Sequence, residues 1–399
     1  MKESGSRTTL FSYQGVPIWR DDRVLKGVAQ IISAIIVLGF LYFFISNVLE
    51  AANNRGLLLG YNFLNFSAGF PIGESIIIDY EPSMSFLQAF AVGVLNTLKV
   101  SLIGVVLATI LGVIVGVARL SSNWLIRNIA NVYVETFRNV PLLVLLFFIF
   151  FGVFQALPSV RESVNLANIL IINQRGFYLS WFDPTDSTLT WIVVLALSLV
   201  LAMIVFIILG RHQLRTGRDT HPFLVALSIA FIPSLIAWFL LPEQPLSPNV
   251  PVLGRFNYEG GLVFTTSFAA LLLGLVVYTA AFIAEIVRAG IQAVSKGQVE
   301  AARAIGLKPA QSLRLVIFPQ ALRVIVPPLI SQYLNLTKNS SLAIAIGYPD
   351  LFGVGRIMIN QAGRAVPVFL MIMGTYLLIS LTFSVVLNIY NRRIAFTER

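Results

Sequence analysis

Residues 286–328 read IVRAGIQAVSKGQVEAARAIGLKPAQSLRLVIFPQALRVIVPP, a stretch with apolar runs on both sides. It is too long and too patterned for a plain turn, since most connections in compact proteins span only a few residues. Glu300, Ala301, Ala302 and Arg303 are strong helix formers, and Gly297 before them reads as a breaker. Glu300, at the N-terminal side of that helix, suits the helix dipole. Gly306 fits the helix terminus, because glycine takes the left-handed conformation that ends helices. Lys308-Pro309 then opens a second short helix, with Pro309 in the first turn where a missing N–H is harmless. Leu313, Val316 and Ile317 fall on one side of it, and Pro319 is expected to close it. The pattern predicts a short surface helix, a glycine turn, and a second helix leading back to an apolar phase. Such an element can plug into a groove on another protein or lie on a bilayer as an interfacial helix.

That apolar phase is a membrane. Of 399 residues, 57% are hydrophobic and 12% charged, against about 25% charged in an ordinary soluble domain. So few ionic groups cannot solvate a soluble surface, and so apolar a chain is not disordered. The expected fold class is all-α, a polytopic helical membrane protein. Crossing about 30 Å of hydrocarbon takes roughly 20 helical residues. Eight segments reach or approach that length: 28–48, 95–117, 141–157, 191–209, 223–241, 262–286, 324–346 and 366–389. The third is short, and 133–140 is expected to extend it. No cleavable signal peptide is read in the polar residues 1–26, and 28–48 is long enough to stay as an anchor.

The net charge is +10, and its distribution sets an orientation. With the N-terminus inside, the inside segments carry 20 Lys and Arg and the outside segments six, with Lys99 and Lys338 within spans. Both termini are therefore expected in the cytoplasm, and the basic excess points to a membrane side, not to nucleic acid. The basic loop 210–222 reads as a topology determinant. The outer connections 49–94, 158–190 and 242–261 hold turn-formers such as Asp183-Pro184 and read as loops.

Catalysis finds no purchase. The chain has no cysteine and no Gly-Lys dipeptide, so it offers neither thiolate chemistry nor the lysine of a phosphate-cradling loop. Its two histidines, His212 and His221, lie in the basic loop, away from any serine at membrane depth. No metal cluster is read. Asp183 and Asp186 sit in DPTDST, which is turn chemistry. Gly112 and Gly116 form a GxxxG pair read as packing within the chain, and the sequons at Asn65 and Asn339 are not credited.

Glu300-Ala301-Ala302, Gly306 and the run Val316-Ile317-Phe318-Pro319 together resemble the EAA motif of ABC-importer permeases. The family pattern is EAA, three residues, Gly, nine residues, then I-x-L-P; both spacings are kept, with Val for Ile and Phe for Leu. Residues 95–101 (LNTLKVS), 137–143 (FRNVPLL), 284–291 (AEIVRAGI), Gly297-Gln298 and 338–342 (KNSSL) are similar to the polar amino-acid permeases. The first helix, the loop 49–94 and the helix pair within 191–241 resemble the long permease subunit of general L-amino-acid importers. The resemblance implies a type I importer core of five helices, 95–117, 141–157, 262–286, 324–346 and 366–389. It implies this organisation: N-tail 1–27, helix 28–48, outer loop 49–94, core 95–157, loops and inserted pair 158–261, core 262–389 with a coupling loop 287–323, and C-tail 390–399.

The implied partners are a cytoplasmic ABC ATPase dimer, a second and related permease subunit, and a periplasmic amino-acid-binding protein. ATP would be bound and hydrolysed by the ATPase, leaving this chain without a cofactor. Glu300, Ala301, Ala302, Gly306 and Pro319 would carry ATPase coupling. In the seventh span, Gln332, Asn335, Lys338, Asn339 and Ser340 are candidate pathway-lining residues, with Ser331 beside them. Interhelical hydrogen bonding explains the same residues equally well. Glu285 is the sole acid of the proposed core spans, and a local pair with Arg288 is its simplest fate. The competing function is an ion-coupled secondary transporter acting alone.

Overall fold

The computed structural model describes residues 12–13, 16–17, 22–54, 59–75 and 78–394. Most of the N-tail, Arg55 and the last five residues of the C-tail lie outside the described residues. Strands β1 (Ser12–Tyr13) and β2 (Val16–Pro17) pair as a small ribbon. Helix α1 (Asp22–Asn54) follows, and its long apolar run stays exposed, Ile35, Phe40 and Tyr42 included. Exposed apolar side chains along a helix this long are what hydrocarbon contact requires. Among the described residues seven helices are long and apolar enough to cross a membrane, or eight if one bent pair counts as a span.

Helix α2 (Phe86–Ala118) starts nine residues before the expected span. Ser85 builds a capping box there: its hydroxyl accepts from the Gln88 N–H, and Gln88 Oε1 accepts from the Ser85 N–H at 3.0 Å. Helix α3 (Trp124–Asn139) and helix α4 (Leu142–Phe147, continued by a π-helical stretch Phe148–Phe154) meet at a bend of 106°. Residues 133–140 therefore do not extend the third span. Pro141 forces Val140 into an extended conformation and breaks the helix.

The segment 158–265 departs most from the expected loops. Strands β3 (Val164–Leu166), β4 (Leu170–Asn173), β5 (Gly176–Leu179) and β6 (Trp181–Pro184) lead into the helix pair α5 (Thr188–Thr216) and α6 (Pro222–Leu240). Strands β7 (Leu246–Asn249), β8 (Val252–Leu253), β9 (Tyr258–Glu259) and β10 (Leu262–Thr265) follow. The antiparallel order β10-β5-β4-β3 makes one sheet, and β6–β7 and β8–β9 are separate ribbons. Asp183, read as turn chemistry, is a strand residue opposite Ser247. The expected span 262–286 thus begins as a strand, because a short apolar run suits either structure.

Helix α7 (Thr266–Gln292) is the central element, buried over most of its length. Next come α8 (Lys296–Ala304) and α9 (Pro309–Ser312). A π turn, Leu313–Ile317, joins α9 to α10 (Phe318–Asn339), which tightens into a 3₁₀ helix, Ser340–Ile346. Helices α11 (Leu351–Ala362) and α12 (Ala365–Ile394) complete the chain.

Two apolar cores hold these helices. The larger joins α2, α4, α7 and α10 through Val100, Leu146, Leu275, Ile283, Ile325 and Leu336. The smaller clamps Phe63, Ala68, Phe70, Ile72 and Tyr80 onto α2, α11 and α12 through Phe86, Val354 and Ile372. The GxxxG pair packs within the chain, as read: a Cβ on Gly112 would lie 2.5 Å from Ile283 Cγ2, and one on Gly116 2.8 Å from the Ala284 carbonyl.

Candidate functional site

Helix α8 begins at Lys296, so Gly297 falls in its first turn and does not break it, and Glu300 stands mid-helix instead of at the N-terminus. The C-terminal end follows the expectation closely. Gly306 has φ +81°, its N–H donates to the Arg303 carbonyl at 2.9 Å, and the Leu307 N–H donates to Ala302 at 3.1 Å. These two bonds form a Schellman closure, which fixes the exit angle of the chain. Pro309 takes the first turn of α9. Pro319 does not end the second helix. The π turn over Leu313–Ile317 absorbs the missing donor, and the chain runs on into α10.

Of the five coupling candidates, Glu300, Ala301, Gly306 and Pro319 are exposed and Ala302 is buried. Ala302 seats the helix on the protein while the opposite face stays free. Ile305 and Leu315 are also exposed, at 75% and 62%. Neither stood among the coupling candidates, though an isoleucine directly before a helix-ending glycine was a usable signal. Gln320 Nε2 donates to Gln298 Oε1 at 3.2 Å and ties α8 to α10. A cleft of 440 Å³ separates the short helices from the membrane core, lined by Ile126, Ile291, Val299, Arg303, Leu313 and Ile317.

Just above, Glu285 gathers three arginines. It pairs with Arg288 as expected, and also with Arg119 from the end of α2; Arg138 at the end of α3 is 3.9 Å away. Arg119 Nε donates to Asn131 at 2.7 Å, and the Arg138 guanidinium lies 5.4 Å from the Phe282 ring centroid. One carboxylate thereby binds the ends of three helices.

On α10, Ser331, Asn335 and Lys338 are exposed on one flank, with Gln332 and Asn339 half-buried. Ser340 is fully buried and its hydroxyl donates to the Thr337 carbonyl at 2.8 Å, so it faces local backbone, not an open path. A separate polar centre lies at the opposite end of the core from α8. Glu74 is buried, pairs with Lys99, and accepts from Thr265 Oγ1 at 2.6 Å. The Lys99 ammonium lies 4.3 Å from the Phe268 ring centroid. Asn96 Nδ2 donates to the carbonyls of Glu74 and Pro349 at 2.8 and 2.9 Å. Lys99 was legible as a charge within a span; its partner, on an expected loop, was not. Near this end the Asp350 carboxyl caps α11 by accepting from the Gly353 N–H at 2.8 Å, and burial raises its pKa to about 6.

The profile of the binding-protein-dependent transport system inner membrane component matches residues 220–396. The chain is 45% identical over 373 residues to the putative amino-acid ABC transporter permease protein YhdX of Escherichia coli, covering 93% of this chain and 94% of that one. It is 43% identical to the general L-amino acid transport system permease protein AapQ of Rhizobium johnstonii, covering 93% and 92%. It is 40% identical to the glutamate/glutamine/aspartate/asparagine transport system permease protein BztB of Rhodobacter capsulatus, covering 95% and 96%.

Proposed function

Because this chain belongs to the permeases of polar amino-acid ABC transporters, multi-pass inner-membrane components of binding-protein-dependent systems, we propose that it carries L-amino acids across the membrane. A periplasmic binding protein delivers the amino acid, and a cytoplasmic ATPase dimer drives the cycle. The chain is the non-catalytic part of that assembly. The ion-coupled carrier acting alone falls with the family assignment. A second, related permease pairs with it, and the exposed flank of α10 with Ser331, Asn335 and Lys338 faces the pathway between the two. Gln332 and Asn339 border that flank.

The orientation proposed here puts α8 and both termini in the cytoplasm and the sheet outside, from the excess of basic residues on the α8 side. One observation carries the mechanism: α8 presents Glu300, Ala301 and Ile305 outward and ends in a locked turn at Gly306. A short helix with a fixed exit is a rigid lever. Seated in an ATPase groove, it passes nucleotide-driven closure through α9 and the π turn into α10, and through Glu285 into α2, α3 and α7.

The test is reconstitution of the complete importer in proteoliposomes with tritiated L-amino acids. Gly306→Leu has open space for a side chain but the wrong backbone conformation. It should insert normally and lose most of the ATP hydrolysis stimulated by loaded binding protein. Full stimulation in that variant would remove the coupling assignment.

A further inference from the structure

The sheet end of the core carries an open polar recess of 540 Å³, within the range of small-molecule sites. Its polar lining includes Gln155, Gln174, Arg175, Asn257, Thr266 and Ser267, and among the described residues no carboxylate lines it. Glu74 lies behind Thr265, where Lys99 meets its charge.

Arg175 stands at the tip of the β4–β5 hairpin, and the tip is tied to two neighbouring segments and braced by one bond of its own. Gln174 N–H donates to the Pro158 carbonyl at 3.0 Å, Thr266 Oγ1 donates to the Gln174 carbonyl at 3.3 Å, and the Arg175 N–H donates to Asn173 Oδ1 at 2.9 Å. The guanidinium is aimed by one bond, from Nη1 to the Phe256 carbonyl at 3.0 Å. A guanidinium carries five N–H donors in a fixed fork, so donors remain for a second acceptor. Tyr178 donates to Asn257 Oδ1 at 2.6 Å, which turns the Asn257 amide and leaves its NH₂ to donate. An exposed guanidinium with unused donors, set beside the amide NH₂ of Asn257, is complementary to a carboxylate.

We propose that this recess is a receiving site for the α-carboxylate of the amino acid, held by Arg175 as the substrate leaves the binding protein. The inference rests on the importer reading. It gives the segment 158–265 a part in transport: its hairpin tip places an arginine beside the first turn of α7.

The experiment uses the complete importer in proteoliposomes, with tritiated glutamate, glutamine, arginine and leucine, over a titration of loaded binding protein. Arg175→Gln should lower the maximal uptake rate about 10- to 100-fold, as expected for losing a charge-assisted hydrogen bond, with the half-saturating binding-protein concentration unchanged. Arg175→Lys should fall between. Gln155→Glu, which supplies its own carboxylate within the recess, should also slow uptake, and should slow it little further when combined with Arg175→Gln. An unchanged maximal rate in Arg175→Gln overturns the proposal. So does an unchanged rate with a raised half-saturating concentration, which would make Arg175 a docking residue for the binding protein. If the unmodified importer accumulates none of the amino acids, the importer reading itself fails.

Discussion

Asp350 and the Glu74–Lys99 pair show how single polar groups set conditions on this fold. The Asp350 carboxyl is fully buried, capping α11 on one oxygen and accepting from the Tyr376 hydroxyl on the other at 3.2 Å. Its pKa is raised to about 6 from 3.8, so the folded state holds the proton more tightly than the unfolded chain. Its contribution to stability is therefore fully present below the unfolded value and is lost as pH rises toward the folded one. Wild-type melting temperature in detergent should fall across that window relative to Asp350→Asn, which keeps the cap acceptor and carries no charge. Parallel pH profiles for the two proteins would refute this. The Glu74–Lys99 pair behaves oppositely to a surface pair, with side chains only 4% and 12% exposed. Removing one partner leaves a buried charge, so Glu74→Gln should cost about 3–5 kcal/mol, and the double replacement Glu74→Leu, Lys99→Met should recover much of it. A double-mutant cycle read by thermal melting checks the coupling. Residues of this kind were half legible: Lys99 stood out as a charge in an apolar run, but its partner 25 residues away was set by a fold the local pattern does not encode.

At the scale of elements, close helix approach depends on glycines whose neighbours can be named. Gly112 and Gly116 let α2 lie against Ile283, Ala284 and Val287 of α7, and Gly290 lets α7 lie against Ile325 of α10. Gly112→Val or Gly116→Val should destabilise by about 1–3 kcal/mol each, since packed helices have little room to move. Gly374→Ala in α12 meets open space and should be neutral or stabilising by about 0.5–1 kcal/mol. Equal melting temperatures for the three variants would disprove the α2–α7 contact. The helices themselves were largely readable, because an apolar run of membrane length has few alternatives. Their ends were not. The start of α2 lies in a polar capping box, the break before α4 depends on one proline, and Leu262–Thr265 became a strand only because β5 is there to pair with it. The glycine turn at Gly306 was legible for the opposite reason, since its conformation is a property of one residue.

At the scale of the whole molecule, α5 and α6 stand apart from the two apolar cores, to which neither contributes a buried residue. Helices α5 and α6 pack mainly on each other: Ser198 Oγ donates to the Ala230 carbonyl at 2.9 Å, Trp191 Nε1 to Ser234 at 2.9 Å, and Trp191 meets Trp238 edge to face. Their outer faces remain apolar and exposed, as for Leu197, Met203, Phe231 and Leu235. The hairpin rejoins the rest of the molecule through β6 and β7, where Pro184 stands opposite Leu246. That register makes the α5–α6 appendage removable, because the chain leaves and returns at adjacent points. Replacing residues 185–245 by Asn-Gly, which favours a two-residue hairpin turn, should leave the sheet, the recess around Arg175 and the α8 lever in place. The shortened chain should insert, assemble with its ATPase, and retain ATP hydrolysis stimulated by loaded binding protein to within about twofold of the full chain, a change of less than 1 kcal/mol in the barrier. If the shortened chain inserts but no longer pairs with the second permease proposed above, the exposed faces of α5 and α6 are subunit contacts, and the appendage is part of the transport unit.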